Sequence, residues 1–191
     1  MQDEVSPKQR KFWEAEELLD KGQNQKALKM LLELLEEYPE DDNALIINKV
    51  GVAYAQMGEM EKAEKYFYDA ILINYQCVPA LSNLGNVFLD RDDPHRAIAL
   101  YKKALKYDAD YAVAHNNLAA AYKRIRDIPK QVSHYKRSQQ LKTAGETRAE
   151  KTDRRRRVLK QEEEELPNTR GCWITVLVVV AIIIAAFLIL R

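Results

Sequence analysis

The chain has 191 residues, enough for one domain and a tail, and its 30 basic and 29 acidic side chains leave a net charge of +1. This balance gives no general attraction for nucleic acid, and none is expected as a partner. Two cysteines, Cys77 and Cys172, are too few for a disulfide framework and favour a reducing compartment. The first 30 residues contain no apolar run typical of a secretory signal, so we expect the body of the protein in the cytoplasm.

Residues 1–7 are polar and are expected to form a loose N-terminus. From Lys8 to Asp20 the apolar residues recur at helical spacing, and Gly22 ends this pattern. A second helix with the same kind of spacing follows and ends near Pro39. The two helices form a first unit of about 8–41.

The next two units are copies of one pattern, because shifting Ala44–Cys77 by 34 residues places it on Val78–Tyr111. Small and aromatic residues recur at equal positions in the two units: Gly51 and Gly85, Tyr54 and Phe88, Ala63 and Ala97, Phe67 and Tyr101, Ala70 and Ala104. The small residues stand where two helices would have to touch, and the aromatic residues stand where a gap must be filled. Asp93 is expected to cap the helix that begins at Pro94.

A fourth unit, about 112–145, keeps the pattern less well. Its second helix has Gln131 and Ser138 where the middle units have alanine. A terminal repeat has no neighbour on its outer side, so a more polar outer helix is expected there.

The remaining chain divides into a charged spacer, 146–170, and an apolar segment, 171–191. Residues 172–190 contain no charged side chain. As a helix they would be about 28 Å long, close to the roughly 30 Å hydrocarbon core of a bilayer. We interpret 172–190 as a transmembrane helix; a buried core helix or an oligomer seam is the alternative.

Two stretches of the chain resemble the tetratricopeptide repeat. They share its glycine, aromatic and alanine spacing, at Gly51, Tyr54, Gly58, Ala63, Phe67 and Ala70 and again at Gly85, Phe88, Ala97, Tyr101 and Ala104. The resemblance covers 8–145 and implies an all-α fold, a right-handed superhelical array of about four helix pairs with a concave face lined by the first helices. Repeat 1 departs from the family pattern because Ala15 stands where its glycine would be.

With the apolar segment included, the chain resembles a tail-anchored, single-pass tetratricopeptide protein. Such proteins insert into the bilayer after synthesis and keep their repeats in the cytoplasm. Residues 121–160 hold 14 basic and 4 acidic side chains, and positive charge beside the span agrees with that orientation. The sequence leaves the endoplasmic reticulum, the outer mitochondrial membrane and a bacterial inner membrane open.

Two features beside the apolar segment are candidate membrane contacts. A basic cluster could attract anionic lipid, or it could lie on a solvated helix paired in part with Glu162–Glu165; it consists of Arg154, Arg155, Arg156 and Arg157. Cys172 could be S-acylated, or it could serve as a plain small apolar residue.

No catalytic centre is predicted. The chain has no glycine-rich phosphate loop, no CxxC and no HExxH. Its histidines, His95, His115 and His134, lie far apart in sequence and share no metal-ligand spacing. We therefore expect no enzymatic activity, no cofactor and no metal.

Asparagines on the first helices are the candidate binding residues. Asn83 and Asn117 occupy one repeat position, while Asn48 and Asn86 flank it. An asparagine amide both donates and accepts, so it can pair with the backbone of an extended peptide of any sequence. The alternative is that these residues cap or bridge inside the array. Some members of this family bind the C-terminus of chaperones through a clamp that includes cationic side chains at set repeat positions. Here only Asn83 matches that clamp and its cations are missing, so we do not expect a receptor of that type.

These features favour an adaptor that binds a protein or peptide in its groove and recruits it to the cytoplasmic face of a membrane. The runner-up is an assembly or membrane-remodelling factor that self-associates, as a homo-oligomer, through its span and end repeats. An enzyme accessory or hydrolase is a third class, for which the sequence offers no constellation of residues.

Overall fold

The structure of the protein, a computed structural model, describes residues 6–39 and 43–145, and all regular secondary structure in these ranges is helical. Seven helices have both ends described: α1 Pro7–Asp20, α2 Asn24–Glu37, α3 Ala44–Gln56, α4 Met60–Ile73, α5 Val78–Asp90, α6 Pro94–Tyr107 and α7 Ala112–Arg124. An eighth, α8, covers 128–145. The predicted all-helical solenoid with helix pairs is confirmed. The predicted divisions at 145 and 170 stay predictions.

Side-chain caps fix the start of three helices. Ser6 Oγ accepts a hydrogen bond from the backbone N–H of Gln9 at 3.1 Å. At the start of α6, Asp93 Oδ1 accepts from the N–H of Arg96 at 3.1 Å, which confirms the predicted cap before Pro94. Asp127, one repeat later, caps α8 in the same way through the N–H of Lys130 at 3.2 Å.

The turn inside each helix pair contains one residue with positive φ. These residues are Gly22 (70°), Gly58 (81°), Asp92 (60°) and Arg126 (60°), and they occupy equivalent positions in the four repeats. Glycine adopts this left-handed conformation without steric cost, whereas Asp and Arg reach it less readily. The first two repeats therefore use the residue that the turn prefers, and the last two do not.

Glycine lets the middle helix pairs approach until an aromatic ring covers the glycine backbone. A Cβ at Gly51 would lie 2.6 Å from the ring of Phe67, and a Cβ at Gly85 would press on the ring of Tyr101. Both rings are buried. The predicted role of these glycines, close contact between paired helices, agrees with this geometry.

The first helices of successive repeats form the inner layer of the array. Each helix from α1 to α6 packs against the next one in the chain, and α1, α3, α5 and α7 also contact one another in succession. Among the seven helices with both ends described, α2, α4 and α6 make no such contacts. Helices that touch lie on the inside of a curve and helices that spread apart lie on the outside, so α3, α5 and α7 line the concave face.

The last described helix carries apolar side chains on its outer side. Ile128, Val132 and Tyr135 are exposed, although Ser138 of the same helix is buried. The expected polar outer helix is therefore only partly polar.

Among the described residues, we find no helix that combines the length and the apolar character needed to cross a membrane. The predicted span at 172–190 lies outside these residues.

Candidate functional site: the inner face of the helical array

Polar contacts join each first helix to the next along the inner face. Lys49 Nζ of α3 lies 2.6 Å from Glu16 Oε1 of α1. Asn83 Nδ2 of α5 donates to Asn48 Oδ1 of α3 at 2.9 Å. The third contact comes from Asn117 of α7, described next. Polar side chains thus tie the inner layer together across the interfaces between repeats.

Asn117 is held by α5 through two hydrogen bonds. Its Nδ2 donates to Asn86 Oδ1 at 2.8 Å and to Ser82 Oγ at 3.3 Å. The hydroxyl of Tyr101 donates to the same Asn86 oxygen at 2.7 Å. Burial raises the pKa of Tyr101, so the hydroxyl keeps its proton and remains a donor.

The four predicted asparagines therefore form two pairs within the array, Asn48 with Asn83 and Asn86 with Asn117. Their bridging inside the array, which was the alternative interpretation, accounts for these contacts. Four amide atoms of these residues have no hydrogen-bond partner in 6–39 and 43–145: Asn48 Nδ2, Asn83 Oδ1, Asn86 Nδ2 and Asn117 Oδ1. Asn48 is buried, whereas the other three residues are only partly buried. The hypothesis of a ladder for an extended segment stays a prediction, and the atoms of these three residues are the ones that could form it.

A depression of about 270 Å³ lies beside these amides and is lined by α3, α4 and α5. Its apolar wall consists of Val52, Ala55, Met60, Phe67 and Val87. Asn83, Asn86 and Asp90 lie at its polar side. This depression could not be predicted from the sequence, because it depends on which side chains of two adjacent repeats lie against each other.

Two histidines meet in the last repeat. His115 Nδ1 lies 3.0 Å from His134 Nδ1, and His115 Nε2 lies 3.0 Å from the carbonyl oxygen of Ala109. Burial, helped by His115 and Lys102, lowers the pKa of His134. Their separation in sequence concealed this contact.

The repeat positions of the two histidines could have predicted their contact. The residues one repeat earlier, Leu81 and Leu100, belong to one packed cluster. In the part of the chain that the structure describes, no group of three or more His, Cys, Asp or Glu side chains could hold a metal ion. The other predicted site residues, the Arg154–Arg157 cluster and Cys172, lie outside that part.

The helix pairs and the shared inner layer define a helical repeat scaffold. Two family models match it, described as tetratricopeptide repeat for residues 14–79 and as TPR repeat for residues 85–125. These matches cover most of the described helices and support the tetratricopeptide-repeat family. The protein is a tetratricopeptide-repeat protein. A search of curated proteins finds no match.

Solved structures share the fold. The crystal structure of MamA aligns with a TM-score of 0.57 at 18% identity, covering 75% of this chain and 83% of that one. BtubC (BKLC) from P. vanneervenii aligns with a TM-score of 0.56 at 22% identity, covering 69% and 61%. The APC/C hetero-tetramer Cut9–Hcn1 aligns with a TM-score of 0.63 at 18% identity, covering 68% and 26%. At these identities the likeness concerns the fold alone.

Proposed function

We propose that the protein is a membrane-held adaptor that binds an extended protein segment along the inner face of α3, α5 and α7. The observation that carries this proposal is the row of amide atoms without a partner among the described residues, Asn83 Oδ1, Asn86 Nδ2 and Asn117 Oδ1, beside an apolar depression. An extended backbone presents N–H and C=O groups along its edge, and such a row offers acceptors and a donor to them.

The internal pairs hold these asparagines ready for binding. The bonds from Asn83 to Asn48 and from Asn117 to Asn86 fix each amide before a partner arrives. A fixed group loses less conformational entropy on binding than a free side chain does. Each new hydrogen bond would add about 0.5–1.5 kcal/mol net, so a partner needs further contacts for useful affinity.

A steric block tests the groove without breaking these pairs. Ala120 is exposed on α7, about one helical turn after Asn117, and arginine there fills the groove while every asparagine bond is kept. Ala99 is exposed on α6, outside the inner layer, and Ala99→Arg is the matched control with equal charge and size. We expect Ala120→Arg to lose proteins that copurify with the full-length chain and Ala99→Arg to retain them, measured by quantitative mass spectrometry.

The asparagines themselves need a second variant. Asn83→Ala combined with Asn117→Ala should weaken binding of any partner found this way. The variant also leaves the buried Asn48 oxygen without its donor, so its melting temperature must be measured beside its affinity. Unchanged affinity in a folded double variant would remove the asparagines from the binding site.

The membrane part of the proposal rests on the apolar run 172–190 and the basic residues before it. We expect the full-length chain to resist carbonate extraction and a chain ending at Thr169 to be released. Protease added from the cytoplasmic side should digest the repeats. If both chains are extracted, 172–190 is an interaction helix and no anchor.

One observation favours the runner-up, self-association through the end of the array. Ile128, Val132 and Tyr135 form an exposed apolar stripe on α8. Val132→Glu would disrupt a contact between two such stripes. A drop in the molar mass of the full-length protein in detergent, measured by light scattering, would support self-association, and an unchanged mass would count against this surface.

A further inference from the structure

Two successive interfaces of the inner layer use equivalent positions in different ways. Beside the contact of α5 with α7, the position pair is Asn86 of α5 and Tyr101 of α6, 15 residues apart. One repeat earlier, the same pair is Val52 and Phe67. The array therefore contains a polar version and an apolar version of one site.

In the polar version the side chains bond to one another. Asn86 Oδ1 accepts from both Tyr101 and Asn117, so three side chains from α5, α6 and α7 meet at this atom. Neither Val52 nor Phe67 can make such bonds. Within the described residues Asn83, the equivalent of Asn117 one repeat earlier, donates only to Asn48, which is the equivalent of Ser82, and a depression of about 270 Å³ lies at this place.

The edge of the depression carries a negative charge. Asp90 is exposed, and within the described residues its carboxylate has no ion pair. The neighbouring Arg91 is occupied by Glu64 at 2.6 Å. A cation from a partner can therefore pair with Asp90.

We propose that this depression is the specificity pocket of the groove: it takes one aliphatic side chain of the bound segment, and Asp90 selects a lysine or arginine two residues away. This inference rests on the proposed function of the groove. Val87 and Asp90 are separated by about 4.5 Å along α5. Alternate residues of an extended segment are about 6.6 Å apart and point to one side, so two such side chains can reach the pocket and the carboxylate together.

The repeat supplies the variant that closes the pocket. Val52→Asn combined with Phe67→Tyr recreates the pair found at Asn86 and Tyr101, with Asn83 placed as Asn117 is. Ala55→Leu narrows the same depression from another side and serves if the double variant fails to fold. Both keep Asp90 and the groove asparagines.

The probe is a phage library of random dodecapeptides, selected on the full-length protein in mild detergent. Affinities of a selected peptide are then measured by fluorescence anisotropy. We expect selected sequences to contain an aliphatic residue two positions from lysine or arginine. Closing the pocket should weaken binding about 10-fold or more, because a buried aliphatic side chain is displaced. Asp90→Asn should weaken it about 2–5-fold, and only for peptides that keep the cation.

The outcomes separate this inference from the proposed function. If closing the pocket leaves affinity unchanged while Ala120→Arg abolishes binding, the pocket assignment is wrong and the groove remains the binding site. The pocket assignment is also wrong, and the groove remains the binding site, if the selected peptides lack an aliphatic residue two positions from lysine or arginine. If no peptide is selected, or if Ala120→Arg binds as well as the Ala99→Arg control, both the pocket and the groove function are rejected.

Discussion

The glycines of the middle repeats predict how a helix pair responds to one added methyl group. Gly85 lies under the buried ring of Tyr101, and a Cβ there would press on that ring. The equivalent residues of repeat 1 are Ala15 and Leu31, both fully buried in one cluster. The repeats thus pair glycine with a ring and alanine with leucine. We therefore expect Gly85→Ala to destabilise the protein when Tyr101 is present. The same change should not destabilise it when Tyr101→Leu recreates the repeat 1 pair.

The magnitude follows from two opposing effects. Overpacking a closed core lowers the free energy of unfolding by about 1–3 kcal/mol. Replacing glycine by alanine inside a helix raises it by about 1 kcal/mol. Gly85→Ala alone should therefore lower the free energy of unfolding by about 1 kcal/mol. In the Tyr101→Leu background the clash is removed, and the same change should raise it by up to about 1 kcal/mol. The predicted coupling between the two sites is about 2 kcal/mol.

Urea unfolding followed by circular dichroism measures each protein of this double-mutant cycle. A second comparison comes from repeat 4, where Ala119 is paired with Tyr135, whose side chain is exposed by 53%. There the Tyr135 ring is outside the core and does not press on Ala119. Ala119→Gly should therefore not raise the free energy of unfolding. If the effects of the Gly85 and Tyr101 changes on the free energy of unfolding add within about 0.5 kcal/mol, the Tyr101 ring is not what disfavours a Cβ at residue 85.

Three further predictions concern packing, capping and pH. Ala97→Leu adds volume to a fully buried site and should cost about 1–3 kcal/mol, whereas Ala99→Leu on the exposed side of the same helix should cost almost nothing; urea unfolding compares them. Asp93→Ala removes the cap of α6 and should cost about 1 kcal/mol, a loss that Asp93→Asn should largely avoid in the same assay. Because folding holds the pKa of His134 below its usual 6.5, the unfolded chain binds more protons there, so stability falls as the pH drops through 6.5 and levels off below the folded pKa. Replacing His115 and His134 together by leucine should flatten this part of a plot of melting temperature against pH, and an unchanged slope would assign it to other groups.

The backbone of the array was predictable because it follows from spacing. Repetition at 34 residues, the glycines and the Asp93 cap led to helix pairs that the structure confirms. Side chains that face each other across two repeats were harder to predict. Asn48 and Asn83 are 35 residues apart, so a comparison at the repeat period aligns Asn83 with Lys49 and hides the contact. A search one residue off the period would find it.

The pocket and the histidine pair could not be predicted from residue types alone. Val52 and Phe67 are ordinary apolar residues in the sequence, and nothing in their type indicates that they line a depression beside Asn83. His115 and His134 meet because α7 and α8 pack, at positions where repeat 3 has leucines. Such features depend on which side chain fills each space between helices.

Site-specific photo-crosslinking tests the central claim, that a partner lies along the inner face, most directly. A photoreactive phenylalanine replaces Val113, one turn before Asn117 on α7, or Tyr68 on α4 as the control, and these two side chains have closely matched exposure, 45% and 44%. The full-length protein is irradiated inside its native cells. Inner-face binding predicts one or a few defined adducts at Val113 that are absent at Tyr68 and are lost with Ala120→Arg. Equal adducts at both positions, or adducts at Tyr68 alone, would contradict it.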